Sequence, residues 1–158
     1  MVKSKNVYFI PIKKKDRKLV ISDPRAHNGS FKEAIDFAIP KGTEILSASD
    51  GIVVLAKDES RYGGNNRRYL KLKYLNSIII RHRNNEFSEY SHLKYKGALV
   101  KKGQKVKAGE VIGYSGNTGY TTEPHLHFHV CTKGTRYNIG KTLEVKFNEK
   151  LKVRRNFD

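Results

Sequence analysis

Apolar and polar positions alternate with a period of two along most of the chain, and no window carries the apolar spacing of an amphipathic helix. Residues 7–12 read as a short apolar strand that Pro11 confines to a sheet edge. Residues 18–21 read as a second strand and 34–38 as a third, with Asp36 set between Ile35 and Phe37. Residues 44–48 and 52–56 read as a hairpin turned at Ser49-Asp50-Gly51, because Asp-Gly favours the tight turn. A long loop is expected over 58–66, around Gly63-Gly64-Asn65-Asn66. Residues 77–82 form an apolar strand that turns at Asn84-Asn85 and pairs with 86–92. Two short strands with glycine-centred turns follow in 100–113, and a last strand runs over 124–130. Many short strands joined by Gly, Asn and Asp turns predict an all-β fold: an antiparallel sandwich or barrel-like domain with little helix. One domain is expected over 1–140, with 141–158 as a basic C-terminal extension that the pattern does not place.

Composition narrows the class. At 158 residues, 37% apolar and 30% charged, the chain is one domain's worth of soluble, surface-rich sequence. No apolar run approaches the length that crosses a bilayer, and no signal-peptide apolar region is visible near the start. The single cysteine, Cys131, excludes an internal disulfide and a thiolate metal cluster; it reads as a small half-buried residue. A net charge of +17 implies long-range attraction to polyanions. The basic residues recur at 13–18, 67–73, 94–107 and 146–155, so charge alone does not rank nucleic acid, anionic membrane or anionic cell wall.

The candidate chemistry lies in the last strand, where His125, His127 and His129 alternate with Leu126, Phe128 and Val130. Alternation puts three imidazoles on one face and an aliphatic and aromatic set on the other, and each imidazole needs a hydrogen-bond partner or a metal. Asp36, mid-strand among apolar residues, needs a cation or a dense set of donors if buried. His27 sits in a Gly-containing loop close enough to fold back on that strand end. His27, Asp36 and one histidine of the late strand would make a His₂-carboxylate set that leaves zinc a fourth position for water. Taken singly, His27 is better read as an exposed loop residue and Asp36 as the partner of a lysine.

Read together, these motifs resemble the lysostaphin/LytM-type zinc endopeptidases, which cut peptidoglycan cross-bridges. Residues 27–43, opening on His27 and carrying Asp36, resemble the first metal motif of that family. Residues 49–53 resemble its Asp-Gly hairpin, 76–82 and 90–93 its central strands, and 103–119 its glycine-punctuated run. Pro124-His125-Leu126-His127-Phe128 is similar to its His-x-His motif, and the likeness extends over about residues 8–130. The resemblance implies a LytM-like domain holding one zinc ion per chain on His27, Asp36 and His127, with His92 and His125 as catalytic histidines that do not bind the metal. One would take the water's proton and the other would stabilise the oxyanion, with either order open. Three departures stand out: a longer gap from His27 to Asp36, Glu123 in place of a small residue, and His129 in place of an acid. His129 reads as a solvated strand residue, with a spare ligand or a donor to a ligand as the alternative. His82 reads as a structural or rim residue. Asn76 and Tyr90 resemble groove-lining positions, and Tyr8 aligns loosely with a tyrosine that assists the oxyanion in some relatives.

The expected function is therefore a zinc metalloendopeptidase hydrolysing peptide cross-links of bacterial-type peptidoglycan, through a glycyl-glycyl bridge or a D-alanyl bond. Its basic surface would hold it to anionic wall polymers, and its place of action would be extracytoplasmic. The alternative is an inactive cell-wall or polyanion-binding module of the same fold. A swinging-arm carrier is not expected, because no lysine sits in the tight hairpin that attachment needs. Nucleic acid is not expected as the main partner, although Tyr62, Tyr69 and Tyr74 lie among arginines and lysines, because it leaves the histidines unexplained.

Overall fold

The strand Leu126–Cys131 lies inside an eight-stranded sheet, between Phe87–Ser91 on one side and Ile35–Ala38 on the other. The computed structural model describes residues 2–23, 25–133 and 140–155. Beyond Phe87–Ser91 the sheet continues through Ser77–Arg81, Gly51–Lys57 and Lys105–Val106; beyond Ile35–Ala38 it continues through Leu19–Ser22 and Arg154–Arg155. All its pairs are antiparallel except the last. A three-stranded sheet of Glu44–Leu46, Val111–Ser115 and Leu93–Ala98 contributes Ile45, Ile112 and Leu93 to the same apolar core. Only single 3₁₀ turns interrupt the strands, with no α-helix among the described residues. No helix among them is long and apolar enough to cross a membrane.

The period-two pattern explains the two faces. On one, Phe37, Ile78, Ile80, Tyr90, Leu126, Phe128 and Val130 are essentially inaccessible to solvent and form the core. On the other, cross-strand register aligns polar residues: Asp36 opposite His127, His127 opposite Ser91, Ser91 opposite Ser77, and His129 opposite Glu89. The sheet thus delivers a row of chemically active side chains on a backbone held from behind by a packed core.

Four elements differ from the sequence pattern. Glu44–Leu46 and Gly51–Lys57 do not pair as a hairpin; the first joins Val111–Ser115 and the second joins Ser77–Arg81 and Lys105–Val106. The link between them crosses from one sheet to the other, fixed by Ser47 N–H donating to Glu110 O and Ala108 N–H donating to Asp50 Oδ1. The first strand is Lys3–Tyr8, not 7–12, while Ile10 and Ile12 are buried in the core. Residues 93–98 form a strand in which Lys96 adopts φ 51°. The tail is built into the molecule: Glu144–Phe147 pairs in parallel with Lys3–Tyr8, Leu143 is buried, and Phe147 packs on Phe128 at a ring separation of 6.2 Å.

Candidate functional site

Asp36 and His127 are register partners on adjacent strands, so their side chains rise together from the polar face. Asp36 Oδ1 lies 3.3 Å from His127 Nδ1. His27 arrives from the preceding loop, where its N–H donates to Asp23 O at 2.7 Å, and its Nε2 stands 3.1 Å from Asp36 Oδ2. One donor atom from each residue lies within 4.8 Å of the other two. The longer His27-to-Asp36 gap is taken up by a 3₁₀ turn over Gly29–Phe31. It sets the Phe31 ring edge-on to His127 and His129 at 5.7 and 5.6 Å.

His92 and His125 flank this cluster with ring centroids 4.5 Å apart. His92 Nδ1–H donates to Thr118 O at 2.6 Å, and His125 Nδ1–H donates to Glu123 O at 2.8 Å. Each bond fixes a tautomer whose Nε2 carries the lone pair. The Nε2 of His125 faces Asp36 Oδ1 at 3.8 Å. His92 holds its position with φ 67°, a left-handed conformation that a side-chain-bearing residue enters at a cost. The wall that receives His92 is built on glycine. A Cβ on Gly63 would collide with the carbonyl of Asn117, next to Thr118. Asn76 ties the same wall together: its N–H donates to Thr118 Oγ1 and its side chain bonds the backbone of Ser60 and Leu93.

The electrostatics follow from burial and proximity. Burial opposes ionisation of Asp36, but His127 and His27 beside it outweigh that and hold its carboxyl well below the usual carboxylate range. Burial also works against a charge on His127, yet Asp36 raises its pKa. Burial, reinforced by His125 and His127, pushes His92 down to about 3. Asp36 Oδ1 and His27 Nδ1 are buried without a hydrogen-bond partner among the described residues. Two imidazole nitrogens converging on a carboxylate, one oxygen of which lacks such a partner, form a mixed N/O donor set suited to a first-row divalent cation. His27, Asp36 and His127 could hold such an ion, and His92 and His125 stand beside it.

Other residues fall differently. His129 is not solvated; it is fully buried, with Nδ1 2.9 Å from His127 Nε2 and Nε2 3.4 Å from Glu89 Oε2. Burial pushes it down to about 4. Tyr8 is buried, with its hydroxyl donating to Glu86 Oε2 at 2.9 Å and its ring edge-on to His82. Tyr90 does not line the groove: its ring is in the core, and its hydroxyl accepts from Ala48 N–H at 2.8 Å. His82 is structural, bridging Asp50 O and Ser88 Oγ at 2.7 Å each. Cys131 is buried rather than half-buried, and burial pushes its thiol up to about 12.

The histidines open into a cleft of about 460 Å³ whose wall includes Leu70, Leu72, Leu75, Tyr120 and Thr121. Leu70 and Leu72 lie in 3₁₀ turns, Leu75 follows the second of them, and Tyr120 and Thr121 lie in and just after the short strand Gly119–Tyr120; the sequence pattern assigns no element to 67–75. The recurring Leu70, Leu72 and Leu75 were the available signal, since solvated loops rarely need three leucines.

An all-β domain with a His₂-carboxylate cluster flanked by two further imidazoles defines the class. Residues 30–139 match peptidase family M23, and the chain belongs to that family. Asp36, His92, His125 and His127 lie inside the matched span. The chain is 40% identical over 115 residues to the peptidoglycan DD-endopeptidase ShyA of Vibrio cholerae, covering 73% of this chain and 22% of ShyA. A zinc-containing peptidase from Vibrio cholerae superposes with a TM-score of 0.58 at 29% identity, over 79% of this chain and 36% of that one. The catalytic domain of lysostaphin from Staphylococcus simulans superposes with a TM-score of 0.54 at 29% identity, over 88% of both chains. The chain thus spans about a fifth of ShyA and most of the lysostaphin catalytic domain.

Proposed function

We propose that this domain is a zinc-dependent endopeptidase hydrolysing the peptide cross-links of peptidoglycan. One observation carries the reading: His27, Asp36 and His127 converge within 4.8 Å, and His92 and His125 stand beside them with Nδ1 tied to backbone carbonyls. A module that had lost activity would not need all five, which disfavours the binding-module alternative. His27, Asp36 and His127 would hold the zinc, and the bound ion supplies Lewis acidity toward water and a carbonyl. His92, kept neutral by burial, offers Nε2 as the acceptor for the nucleophile's proton. His92 would then return that proton to the leaving amine, and His125, ring to ring with His92, would stabilise the oxyanion when it carries a proton on Nε2. Phe31 and the leucine-lined wall limit water around these groups. Residues 141–155 would belong to one catalytic unit with 1–140, a reading supported by the tail strands that pair with the first part of the chain.

The name of ShyA, a DD-endopeptidase, makes a D-alanyl cross-link the first bond to test, with a glycyl-glycyl bridge as the second. Peptidoglycan as substrate puts the site of action outside the cytoplasm. The +17 charge would gather the domain on anionic wall polymers. The experiment is mass spectrometry of cross-linked muropeptides after incubation with zinc-loaded protein. Conversion of dimers to monomers, absent in His125→Ala, is expected; intact dimers of both cross-link types would defeat the proposal.

A further inference from the structure

The polar face holds two buried groups that the mechanism above does not use: His129 and Glu89. They are cross-strand register partners, His129 is wholly inaccessible and Glu89 nearly so. Their contacts form a line that starts at a proposed metal ligand. His127 Nε2 lies 2.9 Å from His129 Nδ1, and His129 Nε2 lies 3.4 Å from Glu89 Oε2, with no hydrogen-bond partner of its own among the described residues. Glu89 Oε1 accepts from Ser91 Oγ at 2.8 Å, and the hydroxyls of Ser91 and Ser77 lie 3.0 Å apart. Phe31 closes the line from outside, against both His127 and His129.

Only one proton arrangement satisfies this line while leaving His127 Nδ1 open toward Asp36. His127 Nε2–H donates to His129 Nδ1, and His129 Nε2–H points to the Glu89 carboxylate. Burying a carboxylate and a second imidazole costs stability unless they serve each other. A strand residue that only packed would be better apolar at position 129. We propose that His129 and Glu89 are positioning residues that lock the tautomer and ring orientation of His127, and so set the affinity of the His27, Asp36 and His127 cluster for zinc. This rests on the proposed metal reading. It adds that zinc affinity is controlled from two residues that do not touch the ion.

The test is a competition titration of zinc against a chromophoric chelator, on the metal-free protein and on His129→Leu, His129→Gln and Glu89→Gln. Folding of each metal-free variant is followed by circular dichroism. His129→Leu should weaken zinc affinity by about 10- to 100-fold. Glu89→Gln should weaken it less. His129→Gln, whose amide can still accept from His127 and donate to Glu89, should stay close to wild type. Wild-type affinity in a folded His129→Leu would overturn the inference. If that variant does not fold, unchanged affinity in Glu89→Gln would overturn it instead. A wild-type protein that takes up zinc and cleaves muropeptides while both variants match it defeats only this inference; one that binds no zinc defeats the functional reading as well.

Discussion

His92 reaches the carbonyl of Thr118 at 2.6 Å from a backbone held at φ 67°, so the orientation of one imidazole depends on a strained residue and on a loop 26 positions away. The strain separates the side chain from the backbone as a target for substitution. Asparagine tolerates the left-handed region, so His92→Asn should fold with a melting temperature close to wild type and keep its metal. It should nevertheless lose about 10²- to 10⁴-fold in kcat/KM on a cross-linked muropeptide. Wild-type turnover in that variant would remove His92 from the chemistry.

The same relationship makes Gly63 a distant determinant of activity. A methyl group there collides with the Asn117 carbonyl and must displace the loop that holds Thr118. Gly63→Ala should cost about 1–3 kcal/mol of stability, by overpacking against backbone. Its zinc content should be unchanged, because no metal donor lies on that loop, while kcat falls. Urea melts, metal analysis and steady-state kinetics on one preparation check the three parts.

Acid should destabilise the metal-free protein through a residue outside the site. Burial lowers the pKa of His82 below its ordinary value of 6.5, against the opposing pull of the Asp50 carbonyl and of Glu86 and Asp50. The unfolded chain then binds a proton near pH 6.5 that the native state refuses, so stability is complete above that pH and falls as pH drops below it. His82→Gln should flatten the fall by at most one proton, about 1.4 kcal/mol per pH unit. Urea midpoints at pH 8, 7, 6 and 5 give the slope. Equal slopes in the two proteins would contradict the argument.

If the basic surface gathers the enzyme on its substrate, salt should act on intact wall and spare small substrates. Raising ionic strength shortens the screening length to about 3 Å at 1 M. Clearing of intact walls should then slow several-fold while turnover of a soluble muropeptide dimer changes little. Equal sensitivity of the two substrates would show that the charge does not recruit.

Much of the site was legible because strand parity is a local property. It put His125, His127 and His129 on one face, and Asp36 stood out as a carboxylate in an apolar strand. Parity does not say which strands meet or what covers a face. The Asp-Gly turn at residues 50–51 looked like a hairpin, yet its flanking strands join different sheets through long-range pairs. Parity alone reads His129 as solvated, whereas Glu89 from the neighbouring strand and Phe31 from the 3₁₀ turn lie against it and it is fully buried. Residues 93–98 alternate lysine with apolar positions and break at Lys96, which masks a strand whose Leu93 is wholly buried. The tail strand Glu144–Phe147 carries charge at two of its four positions, and it becomes a strand only by pairing with the first residues of the chain.

The most direct measurement is the zinc content of purified protein under zinc-replete conditions, for wild type and single alanine variants of His27, Asp36, His127, His92 and His125. Wild type should hold about one zinc per chain, as expected of a three-ligand catalytic site. The first three variants should lose that zinc and the last two should keep it. Zinc-free wild type, or full zinc in folded His127→Ala, would contradict the proposed zinc site.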